Sequence, residues 1–139
     1  MFHHIVVPLD LVDHHSKTID TALNLAKQFD GEVILVHVIE LISGMAKEEA
    51  RDFYGRIEER AGEFLKEVGV SFQEAGVRWR HDVVFGKTAV EIAQFAERMH
   101  ADLILLSSHR FDPEIEGSGW ATSSFRVGIL SPCSTLLIK

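Results

Sequence analysis

Two stretches of the 139-residue chain carry side chains suited to gripping a ligand. The first is Pro8-Leu9-Asp10, where a carboxylate follows an apolar run. Such an Asp can accept hydrogen bonds from a ligand's hydroxyls, and it can equally cap its own turn. The second runs from Ser107-Ser108-His109-Arg110 to Ala121-Thr122-Ser123-Ser124. Hydroxyls and N–H groups at the start of a helix, together with its dipole, suit an anion, and Arg110 adds a planar fork of donors. Gly117 and Gly119 leave the intervening loop free to fold over a ligand. Asp112, Glu114 and Glu116 place three acids in that loop, which repel a polyphosphate unless they turn outward or hold a metal. His109 reads either as a base or anion contact, or as a strand-end histidine bonded to backbone.

Other reactive side chains have plainer readings. Asp13-His14-His15, with His3-His4 nearby in sequence, has the composition of a metal cluster. Adjacent histidines point apart on a helix or a strand, so the expectation is a solvated loop. Cys133, beside Pro132, is expected as a small buried thiol with no local feature that would lower its pKa. Trp120 fits either a ligand cover or packing under the long loop, Trp79 an edge-strand aromatic, and Arg78 and Arg80 cross-strand ion pairs.

The elements that must position these groups are legible from periodicity. Ile5-Val6-Val7 is a short apolar, β-branched run closed by Pro8 and Asp10, which predicts a buried strand. From Ser16 to Phe29, Ile19, Ala22, Leu23, Ala26 and Phe29 recur at helical spacing, and Asp30-Gly31 supplies a stop. Val33 to Ile39 is apolar on both parities, as a strand covered on both faces requires. After an irregular stretch at Leu41 to Met45, the spacing of Phe53, Ile57, Ala61, Phe64, Leu65 and Val68 predicts a long amphipathic helix over Ala46 to Glu67. Val77, Trp79, His81 and Val83 alternate with Arg78, Arg80, Asp82 and Val84, which predicts an edge strand. Gly86 turns the chain, and Thr88-Ala89-Val90-Glu91 fits a capping box before a third helix ending near Met99. Leu103 to Leu106 reads as a fourth buried strand, Thr122 to Leu130 as a short helix and Ser134 to Ile138 as a last strand. This βαβαβαβαβ order implies an α/β fold with a parallel sheet and helices on both faces. Ligands in such folds sit beyond the carboxyl ends of strands where strand order reverses.

Composition narrows the classes of function. The chain is 46% hydrophobic and 25% charged, which suits one folded domain over residues 1–139 rather than a disordered segment. With 14 basic and 21 acidic residues the formal charge is −7, so a general grip on nucleic-acid phosphates lacks its electrostatic source. One cysteine makes neither an intrachain disulfide nor a Cys-based zinc site, and the N-terminal MFHHIVVPLD has neither the basic start nor the apolar length of a signal peptide. No apolar run approaches the roughly 20 residues that cross a bilayer. A soluble, cytoplasmic protein is expected. No G-x-S-x-G marks a serine hydrolase, no glycine-rich turn follows strand one for a flavin, and the acids and lysine of a phosphoacceptor domain are missing from their places.

Several motifs occur together in a fixed order: Pro8-x-Asp10 ending strand one, Leu35-Val36-His37-Val38 in strand two, Val83-x-x-Gly86 before the third helix, Ala101-Asp102-Leu103-Ile104-Leu105-Leu106-Ser107-Ser108-His109, and Pro132-Cys133-x-x-Leu136-Leu137-Ile138. In that order and spacing, over essentially its whole length, the chain resembles the universal stress protein family. The resemblance implies a single-domain, open, five-stranded parallel sheet in the order 3-2-1-4-5. It also implies an adenine nucleotide at the switch point between strands one and four, ATP or AMP among the choices, with magnesium a further option. Carried over by position, Asp10 and Val38 face adenosine, Pro8 and Leu9 shape the wall, and the phosphates lie against Leu106, Ser107, His109, Arg110, Ala121, Thr122, Ser123 and Ser124. The chain departs from the nucleotide-binding pattern at the phosphate loop. Ser107 and Arg110 stand at the two glycines of G-x-x-G, Ala121-Thr122 stands at the G-[ST] pair, and the intervening loop is about two residues longer. Glycines there let backbone approach oxygens closely, so their loss shifts the work to hydroxyls and Arg110.

The resemblance further implies a homodimer paired through Ser134 to Ile138 and an unknown regulated protein. The leading expectation is therefore a small regulatory domain that binds an adenine nucleotide without a covalent step of its own, slow ATP hydrolysis remaining open. The alternative is a nucleotide-independent dimeric stress protein that acts through protein partners.

Overall fold

The structure, a computed structural model, describes residues 1–12, 15–44, 47–108 and 123–139. Nine elements alternate along the chain: β1 (His4–Pro8), α1 (Ser16–Phe29), β2 (Glu32–Ile39), α2 (Lys47–Glu74), β3 (Trp79–Phe85), α3 (Thr88–Arg98), β4 (Leu103–Ser107), α4 (Ser123–Leu130) and β5 (Ser134–Ile138). The strands form one five-stranded sheet in the order β3-β2-β1-β4-β5, every described pair parallel. From β1 the chain first builds outward through β2 to β3, then returns to lay β4 and β5 on the other side. Order therefore reverses between β1 and β4, and because parallel crossovers keep one hand, the helices change face there.

The period of two along each strand divides the core into two layers. Ile5, Val7, Val33, Leu35, Leu103 and Leu105 pack against Ala22 and Ala26 of α1 and Leu65 and Phe72 of α2. Their neighbours Val6, Ile34, Val36, Ile104 and Leu106 pack against Ala89, Ile92, Phe95 and Ala96 of α3 and Val127 of α4. Strands covered on both faces must be apolar on both parities, which is why β1, β2 and β4 read as near-continuous apolar runs. Edge strand β3 alternates as expected, and the predicted cross-strand pairing appears where Arg80 Nε reaches Glu32 Oε1 at 2.9 Å.

Two local expectations are corrected, and a third is refined. Helix α2 runs to Glu74, beyond Glu67, because Phe72 continues the buried face and is fully enclosed. The capping box at Thr88 is not formed. Lys87 takes the extended cap position with no side-chain cap bond, and the Thr88 hydroxyl instead donates to Glu40 Oε1 at 2.8 Å. A carboxylate at the end of β2 thus serves the start of α3. At the end of α1 the left-handed position belongs to Asp30 (φ 52°), while Gly31 is required by close approach, since a Cβ there would overlap the Phe2 carbonyl oxygen.

At the amino ends of the strands, the Asp102 carboxylate accepts the N–H groups of His3 at 2.8 Å and His4 at 3.2 Å, tying β4 to the start of β1. Burial raises the pKa of the Cys133 thiol, and the Asp102 charge adds to that rise while the Ser131 hydrogen bond opposes it. No described helix is long and apolar enough to cross a membrane.

Candidate functional site

The site is built where β1 and β4 end side by side. Pro8 and Leu9 are buried, and Asp10 emerges with its side chain 52% exposed. Leu9 packs into the layer facing α1 and α2, whereas Val38 and Leu106 belong to the layer facing α3 and α4. The loop that starts at Leu9 is pinned from the β2 side. Its N–H donates to the Val36 carbonyl at 2.8 Å, and its own carbonyl accepts His37 Nδ1–H at 2.7 Å.

It is pinned from the β4 side by His15, whose ring is 4% exposed. His15 Nε2 lies 3.1 Å from the Asp10 carbonyl oxygen and 3.2 Å from Asp10 Oδ1. His15 Nδ1 lies 2.7 Å from Ser107 Oγ, and Ser107 Oγ lies 2.6 Å from Thr18 Oγ1. Both atoms facing Nε2 are acceptors, so in the neutral ring Nε2 carries the proton and Nδ1 accepts the Ser107 hydroxyl. Ser107 can then accept from Thr18, which is 1% exposed. The direction of every proton in the chain follows from the two acceptors on Asp10.

This arrangement corrects the reading of His15 as part of a solvated loop. Its neighbours Asp13 and His14 lie outside the described residues, and among those described no cluster of three His, Cys, Asp or Glu side chains is set to hold a metal. His15, Thr18 and His37 were not singled out from the sequence as site residues. The signal was weak, because Ser107 is 92 positions from His15 and 89 from Thr18, and only the parallel crossover brings them together. The chain holds a hydroxyl beside an imidazole that a carboxylate orients, the components of nucleophile activation. Each of those groups is engaged within the chain, an arrangement that suits holding two loops in register.

Of the remaining expected residues, Ser123 and Ser124 open α4, Ser123 exposed and Ser124 half-buried. His109, Arg110, Ala121 and Thr122 lie outside the described residues, as does Trp120. Next to Ser107, Ser108 donates its N–H to the Ile138 carbonyl at 2.8 Å and its Oγ accepts Lys139 Nζ at 3.2 Å, so β4 and the end of β5 are joined at the same edge.

Glu40 lies at this carboxyl edge too. The Thr88 hydroxyl and N–H, at 2.8 and 3.4 Å, hold its carboxyl below the usual carboxylate range, and the Arg126 charge acts in the same direction. A cavity lined by Lys27, Asp30 and Arg78, among others, lies at the opposite, amino-terminal edge of the sheet and shares no residue with this cluster.

Strand order, the paired carboxyl ends of β1 and β4 and the motif residues along them all fit one family, and the model of the universal stress protein family matches residues 1–139. The chain belongs to the universal stress protein family. Universal stress protein MJ0531 of Methanocaldococcus jannaschii is 32% identical over 111 residues, covering 78% of this chain. That match spans 65% of the longer relative. Among solved structures, the protein MJ0577 is 27% identical with a TM-score of 0.76, covering 100% of this chain and 96% of its own. The Archaeoglobus fulgidus universal stress protein solved in complex with dAMP has the same fold, with a TM-score of 0.70 at 16% identity over 99% of this chain and 98% of its own. A further universal stress protein of the same fold is solved in complex with cAMP.

Proposed function

We propose that this universal stress protein is a small regulatory domain that binds an adenine nucleotide at the carboxyl ends of β1 and β4 and acts by binding rather than by turnover. The observation that carries the reading is the half-exposed Asp10 carboxylate, held at the reversal of strand order by His15 on one side and by the His37–Leu9 contact on the other. A carboxylate fixed there can accept the hydroxyls of a ribose, and Ser123 and Ser124 at the start of α4 offer donors to phosphate. The dAMP and cAMP carried by relatives of the same fold agree with that chemistry. The nucleotide we propose is ATP with magnesium, or AMP. The residues present fit a nucleotide at its nucleoside end, while Arg110 and Thr122 would hold the phosphates in place of glycine backbone. A cytoplasmic location suits this role and a chain whose one cysteine is free. The direct test is Asp10→Ala in an AMP titration. Losing a charged acceptor of a ribose hydroxyl should weaken binding by about 1–3 kcal/mol, and unchanged affinity would remove Asp10 from the site.

A second reading concerns assembly. Strand β5 is the outer strand of the sheet, and Leu136 (41%), Leu137 (37%) and, from α4, Ile129 (68%) and Leu130 (50%) are exposed. An apolar edge strand is a template for a copy of itself, and pairing two β5 strands across a twofold axis would cover both edges at once. We infer that the protein is a homodimer through β5. Such a dimer serves either a nucleotide-binding regulator or one that works through protein partners alone.

A further inference from the structure

The nucleotide reading uses His15 only as a support for Asp10 and gives no role to the polar contacts that continue from His15 through Ser107 to Thr18. We propose that His15 is a positioning residue of the nucleotide site and that its protonation weakens binding of the nucleoside. The proposal rests on the nucleotide reading above and assigns that site a dependence on pH. In the neutral ring, Nε2–H is shared between the Asp10 carbonyl at 3.1 Å and Oδ1 at 3.2 Å, while Nδ1 takes the Ser107 proton at 2.7 Å. The same Oδ1 accepts the Val12 N–H at 3.1 Å, so the carboxylate is oriented by its own turn and by the imidazole together.

Protonation changes both ends of the ring. The contact with Asp10 becomes a charge-assisted bond, which holds the carboxylate more tightly and makes it a poorer acceptor for a ligand hydroxyl. At the other end Nδ1–H must donate to Ser107 Oγ, so the Ser107 proton turns away toward Thr18 Oγ1, and Thr18 can no longer donate to Ser107. Nucleoside and proton therefore compete for the same carboxylate, and by linkage nucleoside binding favours the neutral ring. Among the described residues, few ionisable groups lie on the elements around the ring. Asp10 faces the ring from the loop after β1, and β4 contributes none. On α1, Lys17 and Asp20 are exposed, with Lys17 Nζ bonded to the Lys139 carbonyl at 2.7 Å, and Lys139 Nζ bonds Ser108.

The experiment is calorimetric titration with adenosine, which carries no phosphate to titrate, at about pH 5.5 and about pH 8. The wild-type protein should bind about fivefold more weakly at the lower pH. His15→Gln keeps a donor and an acceptor but cannot titrate. It should show a flat profile and a smaller loss at the higher pH than His15→Ala, whose profile should be flat as well. Long-range proton–nitrogen NMR of the wild-type imidazole should show the Nε2–H tautomer at about pH 8, a readout that needs neither ligand nor variant. Adenosine binding that does not change with pH, a wild-type slope retained in His15→Gln, or an Nδ1–H tautomer would each overturn the proposal. Absence of adenosine binding at either pH would overturn the nucleotide reading together with it, and is distinguished from a flat profile by the lack of heat.

Discussion

Replacing Gly69 by alanine tests how α2 is seated on the sheet, and Gly62, one heptad earlier on the same helix, provides the control. A helix-interior alanine is favoured over glycine by about 1 kcal/mol, so position alone predicts that both variants gain stability. Surroundings separate them. A Cβ on Gly62 would have no heavy atom within 4 Å, whereas a Cβ on Gly69 would overlap the six-membered ring of Trp79. Trp79 begins β3 and stacks on His81 with ring centroids 5.8 Å apart, so it cannot move without disturbing its strand neighbour. Overpacking of this kind costs about 1–3 kcal/mol. Gly62→Ala should therefore be more stable than wild type by about 0.5–1 kcal/mol, and Gly69→Ala less stable by up to about 2 kcal/mol. At about 3 °C per kcal/mol for a chain of this size, thermal unfolding followed by circular dichroism resolves the two. Gly69→Ala melting at or above Gly62→Ala would refute the packing argument.

Two further outcomes follow from single contacts. Glu40→Gln should destabilise the protein by about 0.5–1 kcal/mol at neutral pH, because an exposed carboxylate that takes both donors of Thr88 at the start of α3 is replaced by a neutral acceptor. The folded-state pKa of Glu40 is lowered, so its contribution is fully present above the unfolded value and lost as pH falls through the folded one. The gap between wild type and Glu40→Gln in urea denaturation should accordingly close below about pH 4, and a gap that widens on acidification would contradict the assignment. Leu136→Asp places a charge on the exposed edge of β5 and should convert a dimer to a monomer in analytical ultracentrifugation. An unchanged sedimentation coefficient would move the interface elsewhere.

What could be seen in the sequence follows from which contacts are local. Val33 to Ile39 and Leu103 to Leu106 reveal double-sided burial by their own composition, and Arg78 to Asp82 reveals an edge by alternation, so the sheet and its layers were legible. The end of α2 was less so, since Val70-Ser71-Phe72 carries no helical signature of its own and is helical because Phe72 fills the core. Thr88 looked like a self-contained cap, but its partner Glu40 is 48 residues earlier. In the site, Asp10 was visible through its motif. His15 was hidden, because a His-His pair beside an Asp describes a polar loop equally well, and nothing local points to Ser107. Such long-range polar contacts are decided by strand register, and registers follow from the whole sheet rather than from any one segment.

An adenine nucleotide at the switch point between β1 and β4 is the proposed ligand of this universal stress protein. Calorimetric titration of nucleotide-free protein with AMP and with ATP, each with and without magnesium, tests it most directly. Saturable binding at micromolar concentration with a matching rise in melting temperature is expected. No heat at high protein concentration, with an unchanged melting temperature, would contradict it and leave the β5 surface as the place to look for function.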